Sequence, residues 1–398
     1  MGQIVKIFEI LNVGQGDSII MRPPKRCKYT GKTFIVDLGP GNYNITNHIG
    51  SNENIHIVLT HHDNDHMGGM NFFVGKMGQV ETLIVPFYQN EITLIARTIL
   101  NLKGISSSKD CNEFIKELES IVKNQVSIKT FLDNGMIHYL SFAYEGMNVC
   151  DHIECLNPPL AIESYDWIHE MDRDNLIQLM YELFTETFAT EMEAYIRANV
   201  DGNNAVYKSE IRDYEHYWLR SREDYDISVE QYNKCNYVFA FIFKNMALLR
   251  MFNNKATRNN LRKIYSEYVK CTHDVCVVLK TSYEGETMLL TGDASKKVFN
   301  RLIKEGKDIS ATYLKVPHHG SKHNMSKKIL DAIQPKVAII SHGNGHFGKS
   351  KDTHPNQEIL DMLLHRGIKI LITNDVQKGN ITIMQKRKHC QDSYVEIQ

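Results

Sequence analysis

The hydrophobic pattern divides the chain into strand-rich stretches at both ends and a helical stretch between them. Short apolar runs that end near glycine, proline or aspartate predict strands, among them residues 55–59 and 311–316. Apolar residues at three- and four-residue spacing between Leu176 and Ile196 predict an amphipathic helix. Another helical pattern, at residues 296–306, follows one of the late strands. The pattern therefore predicts an α/β protein interrupted by a mostly helical segment.

The charge distribution supports this three-part division. Residues 161–234 carry 17 acidic and 7 basic side chains, a net charge of −10, while the whole chain has a formal net charge of −1. The remainder therefore carries +9. We predict two halves of one core, at residues 1–160 and 271–398, and an acidic, mostly helical insertion at residues 161–270. A basic core would favour an anionic substrate, although two solvated faces of opposite charge would give the same pattern.

The cysteines and apolar runs indicate the compartment. Eight cysteines at irregular spacing, with no Cys-x-x-Cys pair, are typical of a reduced cytosolic protein rather than of a disulfide scaffold or zinc finger. Glycines and Asp17 interrupt the first 20 residues, which predict a strand and turn rather than a signal peptide. The most apolar later stretch contains Lys244 and Arg250, so we predict no membrane span. We therefore expect a cytoplasmic protein.

One polar loop, residues 60–69, concentrates side chains that bind metals. It follows a predicted strand and reads Thr-His-His-Asp-Asn-Asp-His-Met-Gly-Gly. Its strongest candidate ligands are His61, Asp63, Asp65 and His66. Side chains this close in sequence cannot all face one ion, so they would divide between two, as in dinuclear hydrolytic sites. The alternative is a polar loop whose histidines merely cap a helix.

This loop resembles the His-x-His-x-Asp-His pattern of the metallo-β-lactamase superfamily, with Asp63 where the second histidine usually stands. The variant is similar to the metallo-β-lactamase domain of the DNA-uptake competence protein ComEC and its soluble relatives. Further segments match that domain in order: residues 11–18, 36–39, 290–293 and 315–321, with a weaker match at 341–355. The resemblance covers about the first 90 and the last 130 residues and implies an αβ/βα sandwich.

The resemblance also implies a ligand set for two divalent metal ions, Zn²⁺ or Mn²⁺. The implied ligands are His61 and Asp63 at one ion, Asp65, His66 and His318 at the other, and Asp293 between the two. His319 is either the alternative to His318 or a hydrogen-bond donor to substrate. Asp37, at the end of another predicted strand, would accept a hydrogen bond from a ligand imidazole or simply form a turn. Two such ions would make a bound water hydroxide-like at neutral pH.

Two further histidine roles stay open in the sequence. Most superfamily members carry another histidine between the first motif and the bridging aspartate, and His138, His152 and His273 lie in that interval. His152, in a strand-like patch, is the preferred candidate, and an ordinary partly buried histidine is the alternative. His354 corresponds to a histidine of the ComEC-like pattern and would donate to a phosphate or protonate a leaving group, unless it only belongs to a helix-capping turn. The predicted catalytic residues are Asp65, His319 and His354.

The resulting prediction is a metal-dependent phosphodiesterase, with a DNA or RNA nuclease as the first interpretation. A small-molecule hydrolase acting on a cyclic nucleotide, phosphoester or lactone is the second, because a fold does not fix its substrate. The third is an interaction subunit of a multi-protein bacterial defence system. In that case the insertion at 161–270 would bind a protein partner or a second copy of the chain. The expected partners are nucleic acid or another anionic phosphodiester, and no membrane.

Overall fold

The fold consists of two mixed β-sheets with helices packed on the second sheet. The computed structural model describes residues 4–23, 31–51, 53–76, 80–86, 119, 136–159, 272–283, 285–343, 354–375, 381–386 and 393–397. Helices and strands are numbered below within these residues only. Parallel and antiparallel pairs occur in both sheets. The predicted α/β class is confirmed.

The N-terminal sheet takes strands from both ends of the chain. Its strands are β1 (Ile4–Ile10), β2 (Ile19–Met21), β3 (Lys32–Val36), β4 (Asn54–Val58), β5 (Val80–Pro86), β6 (Ile137–Ala143), β14 (Ile381–Lys386) and β15 (Ser393–Ile397). Their order is β15-β14-β1-β2-β3-β4-β5-β6. The pairs from β15 to β3 are antiparallel, whereas β3 to β6 run parallel. The carboxyl ends of β3 and β4 therefore lie side by side.

The C-terminal sheet has the same division into a parallel and an antiparallel half. Its strands are β7 (Asn148–Cys150), β8 (Ile153–Asn157), β9 (Val278–Tyr283), β10 (Glu286–Leu290), β11 (Tyr313–Lys315), β12 (Val337–Ile340) and β13 (Lys369–Ile372). Their order is β13-β12-β11-β10-β9-β8-β7. Strands β10 to β13 run parallel, so their carboxyl ends also share one edge.

Three helices cover one face of the C-terminal sheet. The described α-helices are α1 (Asn64–Met67), α2 (Lys296–Lys304), α3 (Lys327–Ile333) and α4 (Gln357–Leu364). Ser295 and Ser326 cap α2 and α3 through their side-chain oxygens, which satisfies backbone N–H groups that each first turn leaves free. The apolar side chains of α2, α3 and α4 pack with strand residues such as Leu289 and Leu314 in one buried core. None of the described helices is both long and apolar enough to cross a membrane.

Apolar and polar contacts connect the two sheets. The buried rings of Phe8 in β1 and Tyr283 in β9 meet edge to face, with centroids 5.7 Å apart. Asp17, in the turn after β1, forms an ion pair of 2.6 Å with Lys315 at the end of β11, and both side chains are almost wholly buried. Burying an ion pair is costly unless the two charges satisfy each other, so the alignment of these two segments is strongly constrained.

The strand-like patch around His152 forms a hairpin rather than one continuous strand. It consists of the antiparallel pair of β7 and β8. The polar residues Asp151 and His152 occupy the turn between them. Gly285, with φ of 90°, lies in the turn that joins β9 to β10 in a second hairpin.

Contacts divide the chain into two units. The first comprises residues 1–87, 131–158 and 273–398, and the second comprises residues 88–130 and 159–272. The predicted insertion at residues 161–270, with its apolar stripe between Leu176 and Ile196, lies outside the described residues. The insertion and the core boundaries at 1–160 and 271–398 therefore stay predictions.

The ion pair between Asp17 and Lys315 gives a test of how the sheets are joined. Removing one member leaves the other charge buried without its partner, so we expect Lys315→Met to lower the free energy of unfolding by about 3–5 kcal/mol. Denaturant unfolding followed by circular dichroism measures the change, and Asp17→Asn/Lys315→Met should recover part of the loss. The control is Lys304→Met on the exposed side of α2, which should change stability by less than about 0.5 kcal/mol. Equal stability of Lys315→Met and Lys304→Met would refute a structural role for the ion pair.

Candidate metal centre

The parallel strands of both sheets end at one cluster of polar side chains. The residues that follow strand ends are Asp37 after β3, His61 after β4, Asp293 after β10 and His318 after β11. The backbone N–H of Val277 donates to the carbonyl of Thr60 at 2.8 Å, which brings the segment before β9 against the end of β4. Ligand sites in α/β proteins commonly form at the carboxyl ends of parallel strands, where loop side chains converge.

The loop after β4 supplies four side chains of the cluster: His61, Asp63, Asp65 and His66. Asp63 precedes α1 in extended backbone, with φ of −67° and ψ of 147°, and its carboxylate makes no capping hydrogen bond. Asp65 and His66 occupy the first turn of α1. The alternative that this loop only caps a helix does not describe these side chains, because they face other strand ends rather than the backbone of α1.

The carboxylate of Asp37 holds this loop in place. It accepts hydrogen bonds from the backbone N–H of Thr60, the hydroxyl of Thr60 and Nδ1 of His66, each at 2.7 Å. The bond to Nδ1 fixes the tautomer of His66 and leaves Nε2 directed at the cluster, 3.4 Å from Oδ1 of Asp293. Asp37 is therefore an acceptor for the imidazole of His66, and the metal-binding role of that imidazole stays a prediction.

A strained turn aims two adjacent histidines in different directions. His318 and His319 lie in the 3₁₀ segment Pro317–Gly320 and have φ of 47° and 52°, a left-handed conformation that is rare for consecutive residues with side chains. Nδ1 of His318 pairs with Oδ1 of Asn324 at 3.1 Å, and Nδ1 of His319 donates to the carbonyl of Ser341 at 2.9 Å. Both Nε2 atoms therefore face the cluster, although the residues are neighbours in sequence.

Asp293 lies at the centre of the cluster, between two sets of ligands. We call these sets the Asp63 end (His61, Asp63 and His273) and the Asp65 end (Asp65, His66 and His319); the ligand atoms within each lie within 4.8 Å of one another. Oδ1 of Asp293 is 3.4 Å from Nε2 of His66, and its Oδ2 is 3.9 Å from Nε2 of His61. One carboxylate thus faces both ends, which is the position expected of a bridging ligand.

The spacing of these atoms fits a metal better than it fits direct hydrogen bonds. Nε2 of His61, Nε2 of His66 and Oδ1 of Asp293 are buried and have no regular hydrogen-bond partner among the described residues. The His61–Asp63 and His66–Asp293 pairs are 3.3 and 3.4 Å apart. Ordinary N–H···O bonds are about 2.9–3.0 Å long. Two ligands that each lie about 2.0–2.1 Å from a tetrahedral ion are separated by about 3.4 Å. The buried donor set could therefore hold a divalent cation.

Electrostatic attraction inside the cluster opposes the effect of burial. Burial raises the pKa of the Asp63 carboxyl. The neighbouring His61 imidazole acts in the opposite direction, and the pKa lies well below its usual value. Burial and the neighbouring His66 lower the pKa of His61, yet the Asp63 carboxylate brings this pKa well above its usual value. His318 differs, because burial lowers its pKa to about 3 and keeps the imidazole neutral. A neutral imidazole is the form that binds a metal.

The structure brings the predicted site residues into one cluster, but the side chains that His318 and His319 contact differ from the predicted ones. The clustered residues are His61, Asp63, Asp65, His66, Asp293, His318 and His319. His319, rather than His318, lies beside Asp65, with Nε2 3.2 Å from Oδ2. His318 instead faces Asp293 at 3.6 Å. His354 lies against His318, with ring centroids 5.0 Å apart. The assignment of metal ligands and catalytic residues stays a prediction.

His273 is the residue that the sequence ranked too low. Its Nε2 lies 3.9 Å from Oδ2 of Asp63 and 4.0 Å from Oδ2 of Asp293. His152, the preferred candidate from sequence, pairs instead with the carbonyl of Ser282 at 3.0 Å and is not among the clustered residues. The only sequence signal for His273 is its position just before β9. That position indicates a role in the cluster only when the order of the strands in the sheet is known.

Comparison with known proteins gives partial matches. No family model matches the chain. It is 34% identical over 112 residues to "ComE operon protein 3" of Bacillus subtilis, which is 28% of this chain and 14% of that protein. It is 32% identical over 98 residues to "Competence protein ComA" of Neisseria gonorrhoeae, covering 24% of this chain and 14% of that one. It is 34% identical over 111 residues to "Recombination protein 2" of Haemophilus influenzae, covering 27% and 13%. The resemblance to competence proteins is thus confirmed over about a quarter of the chain.

The hydrogen bond from His66 to Asp37 gives a test of the metal centre. We expect Asp37→Asn to weaken divalent metal binding about 10- to 100-fold, because the carboxylate that orients the imidazole is lost. Asparagine tolerates the left-handed backbone at this position, where φ is 59°, so the turn itself should persist. Competition against a chromophoric zinc chelator measures the affinity. The control is Asp308→Asn, at a carboxylate that is 73% exposed. Equal affinity in both variants would count against this arrangement.

The choice between His273 and His152 is tested by metal stoichiometry. We expect His273→Ala to lower the metal retained per chain, because the Asp63 end loses one of its three donors. We expect His152→Ala to retain as much metal as the unaltered protein. Elemental analysis after gel filtration gives both values. Loss of metal from His152→Ala alone would restore the sequence-based preference.

Proposed function

We propose that this chain is a metal-dependent hydrolase that cleaves phosphodiesters, with DNA or RNA as its substrate. The observation that carries the proposal is the position of Asp293. Its two carboxylate oxygens face imidazoles of opposite ends of the cluster, Oδ1 toward His66 and Oδ2 toward His61. A carboxylate shared by two sets of ligands is the arrangement that dinuclear hydrolases use.

The donor chemistry supports two divalent cations, either Zn²⁺ or Mn²⁺. The Asp63 end and the Asp65 end each offer two imidazoles and one carboxylate. Imidazole suits Zn²⁺, while carboxylate oxygen suits Mn²⁺, so the set accommodates both. When bound, two such ions would polarise the phosphoryl oxygens and lower the pKa of water.

The sheet arrangement supports membership of the metallo-β-lactamase superfamily. Two mixed sheets carry the cluster at their parallel strand ends, and three helices cover one face of the C-terminal sheet. This layering agrees with the αβ/βα sandwich that the ordered sequence motifs imply. The partial matches to competence proteins support the same assignment.

The positions of the histidines beside the cluster support roles in proton transfer and metal binding. The His318 side chain is 23% exposed, whereas that of His319 is almost fully buried, so His318 lies on the accessible side. The ring of His354 lies against that of His318, with centroids 5.0 Å apart. We assign to His354 the donation of a proton to the leaving oxygen. Nε2 of His319 lies 3.2 Å from Oδ2 of Asp65, and we assign to both atoms the binding of a cation at the Asp65 end.

Charge and the names of the relatives support a nucleic-acid substrate. Outside residues 161–234 the chain carries a net charge of +9, which favours an extended anion. One of the matching proteins is named a competence protein and another a recombination protein. The match spans only 13–14% of those proteins, so the activity proposed here rests on the cluster and not on them.

Hydrolysis by metal-stripped protein after addition of Mn²⁺ or Zn²⁺ tests the proposal. Single-stranded DNA, duplex DNA, RNA and bis(p-nitrophenyl) phosphate are compared as substrates. We expect cleavage of a polymer, and a loss of at least about 100-fold in Asp65→Ala/His66→Ala, because ligands at the Asp65 end are removed. The matched control is Asp361→Ala/His365→Ala, an exposed pair at the end of α4.

The outcomes separate the candidate activities. Hydrolysis of only the small diester, lost in Asp65→Ala/His66→Ala, would replace the nuclease by a small-molecule enzyme. No cleavage of any substrate with either metal would contradict the hydrolase itself.

A further inference from the structure

The turn between β1 and β2 contacts the cluster but contains a side chain that the proposed chemistry does not use. The backbone N–H of Asp17 donates to the carbonyl of Asp65 at 3.2 Å. A side chain at Gly16 would collide with the same carbonyl, so the turn lies directly against the Asp65 end. Gln15 precedes these residues. Its backbone is therefore held beside one end of the cluster.

A second segment fixes the carboxamide of Gln15. Oε1 of Gln15 accepts from the backbone N–H of Gly343 at 3.3 Å and pairs with Nδ1 of His342 at 3.2 Å. A Cβ on Gly343 would overlap the backbone of Gln15, so the two segments are in close contact. The residue before His342 is Ser341, whose carbonyl accepts from His319. Both segments that hold Gln15 thus also touch residues of the Asp65 end.

The chemistry of these partners determines which way the amide points. A backbone N–H can only donate, so the atom that faces Gly343 must be the oxygen of Gln15. The NH₂ group is then directed elsewhere. Nε2 is buried and has no hydrogen-bond partner among the described residues. Leaving a buried donor unsatisfied costs free energy, which suits a group whose acceptor arrives with a ligand.

We infer that Gln15 is a substrate-binding residue whose NH₂ group donates to a non-bridging phosphoryl oxygen at the Asp65 end. This inference rests on the proposed function, because that function supplies a phosphate as the acceptor. A neutral donor held by two anchors adds affinity for an anion without adding a charge. It also distinguishes an oxygen-rich, tetrahedral group from a ligand with no acceptor at that position.

A purely structural role for Gln15 makes a different prediction. If its carboxamide only braces the segment at His342 and Gly343, the accepting oxygen is all that matters. Gln15→Glu keeps an oxygen in that position and replaces NH₂ by a second oxygen. Bracing predicts that the affinity of Gln15→Glu falls only through the added negative charge, whereas donation predicts that the neutral Gln15→Met loses affinity as well, since neither replacement can donate to phosphate. Gln15→Met removes both the brace and the donor at similar length.

The test measures binding of inorganic phosphate to the full-length, metal-loaded protein by isothermal titration calorimetry. We expect Gln15→Met to bind phosphate about 10- to 100-fold more weakly, the range for a hydrogen bond to a charged group. We expect Gln15→Glu to bind at least as weakly as Gln15→Met, yet to unfold at the temperature of the unaltered protein. The matched control is Gln357→Glu, an exposed glutamine on α4, which should keep its phosphate affinity within about twofold.

Two results would overturn the inference: phosphate affinity in Gln15→Glu within about twofold of the unaltered protein, or no phosphate binding by the unaltered, metal-loaded protein. Loss of phosphate binding in both Gln15→Met and Gln15→Glu, with an unchanged unfolding temperature in Gln15→Glu, supports it, even if no diester is hydrolysed. In that case the hydrolase proposal fails and the binding role of Gln15 stands. If diesters are hydrolysed and Gln15→Glu keeps both KM and phosphate affinity, only the role of Gln15 fails.

Discussion

The hydrogen bond from Nδ1 of His66 to the carboxylate of Asp37 is the contact on which the rest of the site depends. Asp37 ends one strand of the parallel half of its sheet and accepts three hydrogen bonds from the loop that follows the next strand. Its left-handed backbone, with φ of 59°, is an uncommon conformation for a residue with a side chain. The hydrogen bonds from the loop compensate for this strain. They also hold His66 in the tautomer whose Nε2 faces Asp293. Without that contact, neither the tautomer nor the ring orientation of His66 at the Asp65 end is fixed.

The cluster exists only because two distant parts of the chain meet. The candidate ligands of the first loop come from residues 61–66, whereas Asp293 and the adjacent histidines follow strands of the C-terminal sheet. The buried pair of Asp17 and Lys315 and the backbone bond from Val277 to Thr60 lie beside this junction. Charged and orphaned polar groups at the junction would weaken the fold if nothing compensated for them. The electrostatic attraction within the cluster provides that compensation, and a bound cation would add to it.

The local motifs could be predicted from sequence, while their pairing in space could not. The role of Asp37 followed from its place at a strand end, because an acid there faces the neighbouring loop. Strand β6 (Ile137–Ala143) was missed because exposed polar residues occupy its first half, and α3 (Lys327–Ile333) is too short for a helical period to stand out. The side chains of His318 and His319 point in different directions because both residues have left-handed backbone. The residue pattern does not predict that conformation. The position of His273 likewise depends on sheet order.

The presence of Asp63 where the resemblance leads one to expect a histidine changes the charge balance of the site. Asp63, Asp65 and Asp293 together carry three negative charges, and the imidazoles that bind metals are neutral. Two divalent cations would leave an excess of only one positive charge, where a histidine at position 63 would leave two. A site with so small an excess attracts a phosphodiester weakly through charge alone. Neutral donors fixed beside the Asp65 end then matter more, and a buried amide such as that of Gln15 can supply specificity where net charge cannot.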